Sequence, residues 1–485
     1  MSRARRLPPD PDRWPDPCHR CGQHYATARR WPDGRVCGYC YQAAKRTTGV
    51  CAGGHEGVLP GLRDGKPACR TCTGVTLNID CVRCGAEGEL FSAGRCMACA
   101  LGDEVTAALT DPATDQIHPD LLPLADALTT MKRANSGVTW IRQAHVQKFL
   151  HQLRTLPEIS HEAIDALPDS RTREHVRGLL VEHGSLPWRD PRRARFIQWS
   201  AHALQRLPAG PDRDLVNRYI RWHLLRRMNT STQVGHSTFL RAKQNVTVAI
   251  DFLTWLHVEH DKTLATLTQA ELDQWQAEGS STRLFVGRFL SWAQRTREVA
   301  ADLEVRSHRR GSATTLDITA QKDALDLATG DMEIPARDRF AAILVLAFGQ
   351  PIERVSTLTW QDISIDDDLI VIHLGTPIAL PDPLAQVVRD MRSQASPSNT
   401  AAHPNSNWVF PGSSPGQPMD PASLRNRLRE LAPARAARLG TLQELAKSAP
   451  PAVIAEALAY TPQTIERHAL SAAYGQYVAD KRTTS

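Results

Sequence analysis

The stretch CHRCGQHYATARRWPDGRVCGYC, residues 18–40, holds two Cys-x2-Cys pairs on either side of a segment rich in basic and aromatic residues. The other cysteines follow before residue 100, as Cys51, Cys69-x2-Cys72, Cys81-x2-Cys84 and Cys96-x2-Cys99, and none comes later. A Cys-x2-Cys turn can direct two thiolates at one tetrahedral ion. The confinement of all eleven cysteines to this segment predicts one metal-binding module.

The ligands can be counted. Five Cys-x2-Cys pairs leave Cys51 single, and His55, four residues later in CAGGHEG, supplies a partner. Eleven thiols and one imidazole then suffice for three structural zinc ions, whose four protein ligands leave no place for a reactive water. The sequential grouping is Cys18, Cys21, Cys37 and Cys40, then Cys51, His55, Cys69 and Cys72, then Cys81, Cys84, Cys96 and Cys99. A cross-braced grouping uses the same spacings and stays open.

The spacing is typical of zinc ribbons, small β structures that need a metal to fold. Gly22 and Gly85 follow the knuckles in CHRCG and CVRCG, where the turn requires a positive φ. The rival interpretation is a disulfide framework. An odd number of cysteines, the regular spacing and the absence of a secretory signal in MSRARRLPPDPDRW argue against it.

Basic residues are concentrated in two places. Residues 1–50 hold ten Lys/Arg and four Asp, which equals the net charge of +6, and residues 189–229 hold ten Arg and three Asp. Two such patches favour a polyanionic partner, double-stranded DNA, although arginines can also simply solvate helix faces. The candidate DNA-binding residues in the second patch are Arg192, Arg193, Arg195, Arg213, Arg218, Arg221 and Arg227.

Apolar residues after Cys99 recur at helical spacing. Residues 101–187 form a helical region to which no chemistry can be assigned, with amphipathic segments such as 138–154. Residues 188–305 predict a bundle with helices at 191–207, 212–228, 238–259, 268–277 and 282–297, the fourth opening with a capping box, Thr268 to Glu271. Aromatic residues at helical spacing here are expected in the core. The polar stretch 306–315 is interpreted as a linker.

No apolar run approaches the roughly 20 residues that cross a bilayer, so we expect a cytoplasmic protein without a membrane partner. What the ribbons contact is open between nucleic acid and another protein.

Two C-terminal segments carry a family resemblance. Residues 340–384, FAAILVLAFGQPIERVSTLTWQDISIDDDLIVIHLGTPIALPDPL, combine an apolar helix, a glycine turn, a helix ending in Leu-x-Trp-x-Asp-Ile and a β-hairpin. Residues 408–431, WVFPGSSPGQPMDPASLRNRLREL, add a Phe-Pro-Gly loop and a helix. Both segments resemble the catalytic domain of tyrosine recombinases (phage integrases), and the preceding bundle has the size and position of that family's core-binding domain. Similar zinc-ribbon-bearing proteins occur in bacteria.

The resemblance implies a tyrosine nucleophile that attacks a phosphodiester, assisted by two arginines, a lysine and histidines. The family's first arginine lies two residues after the turn glycine, where this chain has Pro351 after Gly349 and Gln350. Arg354, three residues later, is the candidate replacement. The family's hairpin lysine has no counterpart in residues 368–380, where His373 alone is basic.

The later motifs also depart from the family pattern. The family's His-x-x-Arg becomes Arg435-x-x-Arg438, and only Arg438 matches well. Within LAYTPQTIERHA, Tyr460 falls on a family histidine and His468, with one gap, on the nucleophile. Tyr474 and Tyr477 come several residues too late but are the candidate nucleophiles of a shifted site.

The sequence therefore predicts a multidomain chain, with zinc ribbons at 1–100, an all-α region at 101–187, a core-binding domain at 188–305 and a mainly α, tyrosine-recombinase-like domain with a small β-hairpin at 316–485. We expect a DNA-binding protein with a degenerate, inactive site, in which Arg354, Arg435 and Arg438 contact phosphates and which could oligomerise on DNA. One alternative is an active recombinase with catalytic Arg354, Arg438 and Tyr474 or Tyr477. Another is a helix-turn-helix regulator, whose second helix, 462–470, enters the major groove.

Overall fold

The structure, a computed structural model, describes residues 7–131, 133–230, 233–304, 314–366, 369–393, 401–404 and 406–483, with side chains of the last helix up to residue 472. The chain forms two compact units. Unit 1 is Met1–Leu186 with Ser398–Pro404, and unit 2 is Pro187–Pro397 with Asn405–Ser485. The finer division predicted from the sequence stays a prediction, and the linker predicted at 306–315 lies mostly outside the described residues.

Unit 1 begins with the cysteine module, residues 7–99, which repeats one arrangement three times: a cysteine-bearing turn, an antiparallel hairpin and a helix. The strands are β1 (Thr27–Trp31), β2 (Gly34–Cys37), β3 (Thr48–Val50), β4 (Glu56–Val58), β5 (Gly61–Arg63), β6 (Lys66–Ala68), β7 (Leu90–Ser92) and β8 (Arg95–Cys96). The helices are α1 (Gly38–Ala44), α2 (Arg70–Thr73) and α3 (Met97–Leu109). Hairpins β1–β2, β5–β6 and β7–β8 each lead into a helix, and β3–β4 carries the first knuckle of the second repeat.

The repeats share a small core and a set of ion pairs. Trp31, Val36, Val58 and Ile79 are among the residues that form this core. Arg70 donates to both carboxylate oxygens of Asp80 at 2.8 Å and to Glu87 at 2.6 Å. These contacts link the second repeat to the third.

The rest of unit 1 is helical. It contains a short hairpin, β9 (Thr110–Asp111) with β10 (Gln116–Ile117), and the helices α4 (Leu122–Thr129), α5 (Ala134–Ile141), α6 (Ala144–Leu153), α7 (His161–Asp165) and α8 (Arg171–Glu182). Its core includes Leu101, Val105 and Leu109 of α3, so one helix serves both the third repeat and this core. The predicted boundary at residue 100 thus lies within a helix.

The predicted amphipathic segment 138–154 is two helices rather than one. Gln143, between α5 and α6, has an extended backbone (φ −67°, ψ 129°). Val138 and Ile141 before this bend, and Val146 and Phe149 after it, are all buried in the same core. The predicted apolar periodicity is confirmed. It does not reveal the bend at Gln143, which directs the apolar faces of α5 and α6 into the same core.

The first part of unit 2 is the predicted bundle. Its helices are α9 (Pro191–Ala203), α10 (Pro211–Arg218), α11 (Arg226–Met228), α12 (His236–His260), α13 (Gln269–Ala277) and α14 (Val286–Arg295). The π-helical turn Tyr219–Leu225 joins α10 to α11. All five predicted helices are confirmed to within a few residues. Phe252, Phe289 and Trp292 are buried, as expected of core residues.

The predicted capping box at the start of α13 is confirmed and gives the bundle a pH dependence. Glu271 accepts the Thr268 N–H at 2.9 Å and pairs with Lys262 at 2.6 Å. Lys262 and then Thr268 lower the pKa of Glu271 to about 2. The pKa of Glu271 is lower in the folded state than in the unfolded state. Its contacts therefore stabilise the fold fully at pH values above the usual carboxyl pKa, and this stabilisation is lost as the pH falls toward 2.

We expect Glu271→Gln to destabilise unit 2 by about 1 kcal/mol at neutral pH, and this difference to shrink below about pH 4. Denaturant unfolding at several pH values measures both effects. Glu259→Gln, at an exposed position of α12, is the control. If Glu271→Gln changed the free energy of unfolding by the same amount down to pH 3, the assignment of a low pKa to Glu271 would be contradicted.

The second part of unit 2 is mainly helical with one small sheet. Its helices are α15 (Ile318–Gly330), α16 (Ala336–Leu346), α17 (Ile352–Val355), α18 (Asp382–Ser393), α19 (Pro421–Leu428), α20 (Ala434–Ser448), α21 (Pro451–Leu458) and α22 (Pro462–Thr483). The strands β11 (Ile363–Ile365), β12 (Ile370–His373) and β13 (Pro377–Ala379) form an antiparallel sheet in that order. The predicted hairpin is confirmed, with a third strand added. Helix α16 is buried at almost every position and forms the centre of this core.

Among the described residues, no helix combines the length and the apolar character needed to cross a membrane.

Candidate functional site

Three groups of potential metal ligands lie in the cysteine module. They are Cys18, Cys21, Cys37 and Cys40; Cys51, His55, Cys69 and Cys72; and Cys81, Cys84, Cys96 and Cys99. Within each group the ligand atoms all lie within 4.8 Å of one another. The structure therefore brings together the sequential groups and not the cross-braced ones.

The spacing of these atoms fits a tetrahedral zinc ion. Sulfurs at about 2.3 Å from such an ion lie about 3.8 Å apart, and a sulfur and a nitrogen about 3.6 Å apart. The sulfurs of Cys51 and Cys69 are 3.8 Å apart, as are those of Cys84 and Cys96. His55 Nδ1 lies 3.5–3.7 Å from the three sulfurs of its group. All eleven cysteines are free, and sulfur separations of this size exclude disulfides in these groups.

The electrostatics of the groups also suit a cation. The backbone N–H groups of His55 and Gly53 lower the pKa of Cys51 to about 6, and those of Cys84 and Cys96 do the same for Cys81. Hydrogen bonds with the Cys69 and Cys51 sulfurs instead raise the pKa of Cys72 to about 11. One thiol in such a group ionises easily. Its negative charge then opposes ionisation of the next thiol, because the two sulfurs are close together. A divalent cation removes this repulsion.

The second pair of each group occupies the start of a helix. Cys37, Cys69 and Cys96 cap α1, α2 and α3 with nearly identical backbone angles, φ between −74° and −69° and ψ between 164° and 167°. A helix N-terminus favours negative charge, so this position stabilises thiolates. The ribbon-like hairpins thus carry a helical element that the cysteine spacing did not reveal.

Glycines make room at these turns. Gly22 and Gly85 have φ of 66° and 70°, as predicted from the knuckle motifs. Gly53 has a different role, because a Cβ there would lie 2.9 Å from the Cys72 sulfur.

We expect Gly53→Ala to weaken metal binding at the second group about 10- to 100-fold, because the methyl group displaces a ligand. Competition with a chromophoric chelator measures this affinity. Gly54→Ala is the matched control: its φ of 79° makes it strained, but no atom lies within 4 Å of the added methyl. Equal metal affinities for the two variants would show that ligand displacement is not the cause.

In unit 2, the turn after α16 is where the sequence departs from the recombinase pattern. Gly349 has φ 59°, and a Cβ there would lie 2.9 Å from Leu442. The Gln350 side chain is buried and donates to the carbonyl of Leu458 at 3.3 Å. Pro351 then precedes α17, so no arginine extends from this turn.

Arg354, the candidate replacement, is engaged by the backbone. Its Nη1 donates to the carbonyl of Leu458 at 2.8 Å and more weakly to that of Ala459, and its Nη2 donates to the carbonyl of Leu374. These carbonyls belong to the end of α21 and to the β12–β13 turn. Arg354 therefore caps a helix C-terminus and joins it to the sheet.

Arg438, Tyr460 and His468 come together beside Arg354. The Tyr460 hydroxyl donates to the carbonyl of Gly349 at 2.6 Å, and the Arg438 guanidinium lies 5.7 Å from the Tyr460 ring centre. Burial raises the pKa of Tyr460, against the opposing charges of Arg438 and Arg354. Burial, then Arg438 and Arg467, lower the pKa of His468. The group is a half-buried polar cluster with a net positive charge.

Other predicted site residues are more scattered. Arg435 is exposed, and His373 is exposed with its Nε2 3.1 Å from the hydroxyl of Ser364. Tyr474 and Tyr477 lie in α22, but their side chains are outside the described part of the chain.

The candidate DNA-binding arginines of the bundle differ in whether their side chains already contact other residues. Arg192 pairs with Asp420 at 3.3 Å and Arg218 with Glu298 at 2.8 Å. Arg193 donates to the Asn229 side chain at 3.0 Å. Arg195 is exposed against the ring of Phe239. Arg213 is half-buried, whereas Arg221 and Arg227 are exposed.

Two further arginines, Arg288 and Arg295, were missed because they lie outside the basic stretch 189–229. They belong to α14 and act with Arg227 on His223 through their charges. Their spacing of seven residues, which places two side chains on one helix face, is the signal that could have identified them.

No protein-family model matches the chain, and no curated protein matches it. Solved structures do match. The XerH site-specific recombinase bound to palindromic difH substrate has 11% identity and a TM-score of 0.38, with 58% of this chain and 93% of that chain covered. The Tn1549 transposon integrase with circular intermediate DNA has 13% identity, a TM-score of 0.38 and coverage of 55% and 99%. A lambda integrase dimer on a COC' core site has 13% identity, a TM-score of 0.35 and coverage of 53% and 94%. These are tyrosine recombinases, the family that the sequence resembles.

Proposed function

We propose that this chain is a DNA-binding protein of the tyrosine recombinase type whose catalytic site no longer cleaves DNA. The observation that carries the proposal is the engagement of Arg354 by three backbone carbonyls beside a turn that has Pro351 in place of an arginine. A guanidinium that caps a helix cannot freely replace a catalytic donor. Loss of one such donor costs about 10²- to 10³-fold in rate.

The cluster around Tyr460 supports the same conclusion. The Tyr460 hydroxyl, at the position of a family histidine, donates to the carbonyl of Gly349, and burial raises its pKa. The hydroxyl is therefore held neutral against the backbone and is not free to assist at a phosphate. Arg435 remains as an exposed cation and Arg438 as a half-buried one. Arginines of this kind contribute phosphate contacts, which supply affinity and position without any chemistry.

We also propose that zinc occupies the three ligand groups of the cysteine module. Three or four thiolates with a tetrahedral spacing suit zinc better than calcium or magnesium, which prefer oxygen. With four protein ligands, each ion is structural. Whether the module then contacts DNA or another protein, and whether the chain oligomerises on DNA, stay predictions.

The test is an assay with nicked suicide substrates taken from the neighbourhood of the gene, analysed in parallel on native and denaturing gels. We expect a shifted native band and no covalent adduct. An adduct abolished by Tyr474→Phe or Tyr477→Phe would make the chain an active recombinase. Absence of any shift, including with a pool of genomic fragments, would overturn the DNA-binding proposal.

A second candidate, a helix-turn-helix regulator, is favoured by one observation. Helices α21 and α22 are joined by only three residues, of which Ala459 has φ 50°. Arg467 and Gln463 lie at the start of α22 and are exposed. Site selection from random duplexes tests this candidate: a single operator whose recognition is relaxed by Arg467→Ala would favour it.

A further inference from the structure

The π-helical turn of the bundle, Tyr219–Leu225, places a histidine at the protein surface. Turns of this kind are frequent at functional sites. Tyr219 and His223 stack with ring centres 5.3 Å apart and planes 15° apart. Tyr219 is fully buried against Phe289 and Trp292, whereas Trp222 is 70% exposed. His223 therefore lies between the aromatic core and solvent.

Three exposed arginines belong to the helices next to this turn: Arg227 from α11, and Arg288 and Arg295 from α14, whose Phe289 and Trp292 pack against Tyr219. We call them the arginine cluster. All three act through their charges on both His223 and Tyr219. None of them forms an ion pair with another residue that the structure describes. Glu298, shortly after α14, is instead paired with Arg218 at 2.8 Å.

The cluster is an uncompensated concentration of positive charge. Burial, followed by the charges of Arg295, Arg227 and Arg288, lowers the pKa of His223. The Tyr219 hydroxyl has no hydrogen-bond partner among the described residues. Positive charges from two helices thus act together on the imidazole and favour its neutral form, an arrangement that a bound anion would stabilise.

We propose that the arginine cluster and His223 bind phosphates of a DNA strand, and that His223 takes up a proton from solvent when they do. This inference rests on the proposed DNA binding. A phosphate between the arginines cancels their effect on the imidazole, so the pKa of His223 is higher in the complex than in the free protein. DNA binding at this site therefore strengthens as the pH falls through the range between those two pKa values.

The charge component is tested by fluorescence anisotropy with a labelled duplex, titrated between about 50 and 200 mM salt. We expect Arg288→Gln and Arg295→Gln each to weaken binding about 3- to 10-fold and to reduce the salt slope by about 0.9. Arg206→Gln is the matched control, because Arg206 lies in the same bundle but is already paired with Asp251 at 2.5 Å. Arg288→Lys and Arg295→Lys keep the charge and should retain most of the affinity, which shows that the glutamine variants do not act through misfolding.

The proton component is tested by repeating the titration from about pH 5.5 to 8. We expect His223→Gln to remove most of the pH dependence of binding and His257→Gln, at an exposed position of α12, to leave it unchanged. Modification by diethyl pyrocarbonate, followed by mass spectrometry, reports on the neutral imidazole directly. DNA should protect His223 from modification, and inorganic phosphate at millimolar concentration should not.

The possible results separate the two proposals. If the wild-type protein binds DNA but all the variants behave like Arg206→Gln and His257→Gln, the site assignment is wrong and the proposed function stands. Protection of His223 by inorganic phosphate as effective as that by DNA would overturn the assignment to a DNA strand. If the wild-type protein binds no duplex, the proposed function itself fails.

Discussion

We expect chelation of the metal to unfold the cysteine module and to leave the bundle of unit 2 folded. The small core of the module includes few large side chains, among them Trp31, Val36 and Ile79, and cannot hold three hairpins without further support. Binding of a structural zinc ion is worth about 10–16 kcal/mol, and this free energy becomes folding free energy. We expect three zinc ions per chain by metal analysis, and complete loss of hydrogen-exchange protection in β1–β8 after chelation.

A pair of histidine variants makes this prediction specific to the ligands. His55→Gln removes the one imidazole in the three ligand groups found among the described residues, and we expect it to reduce the content to two zinc ions per chain. His24→Gln alters a histidine of the same module whose Nδ1 lies 2.9 Å from the carbonyl of Trp14 and should retain three. Equal zinc contents for the two variants would contradict the assignment of His55 as a ligand. Hydrogen-exchange protection of β1–β8 that survives chelation would contradict the structural role of the metal.

We expect replacement of Arg354 by alanine to destabilise unit 2 even when no DNA is present. The substitution leaves the carbonyls of Leu458 and Leu374 without their charged donor and removes one of the links between α21 and the sheet. We expect a loss of about 2–4 kcal/mol in the free energy of unfolding. Calorimetry measures this loss, and faster hydrogen exchange at the α21–α22 turn locates it.

Arg435→Ala provides the contrast. Arg435 is exposed at the start of α20, so its replacement should leave stability unchanged within about 0.5 kcal/mol and weaken DNA binding instead. If Arg354→Ala were as stable as Arg435→Ala, the capping role would be refuted and Arg354 would again be a candidate for phosphate chemistry. The two arginines therefore separate a structural function from a binding function.

The parts of the fold that could be predicted from sequence depend on local spacing. The ligand groups follow from Cys-x2-Cys pairs, the start of α13 from Thr268 and Glu271, and the buried face of α10 from its apolar period. In each case the residues that interact lie on adjacent turns or in a repeated motif. Their interactions are local, so they can be predicted from residue spacing in the sequence.

The parts that could not be predicted depend on residues far apart in the chain. Arg354 donates to a carbonyl 104 residues away, and Tyr460 to one 111 residues away. Ala401 and Ala402 lie in the core of unit 1, although the chain before Ser398 and after Pro404 belongs to unit 2. A backbone carbonyl has no side-chain signature, so spacing alone cannot show which cation it will receive.

The shared helix α3 makes the third metal site different from the other two. Helices α1 and α2 span seven and four residues, whereas α3 spans thirteen and buries Leu101, Val105 and Leu109 in the helical core. Loss of the third ion should therefore fray a helix on which the folding of residues 101–186 depends, while loss of the first two stays local. The three ions would then leave in a fixed order during gradual chelation, and the last to go would report on the cooperative melting of all of unit 1.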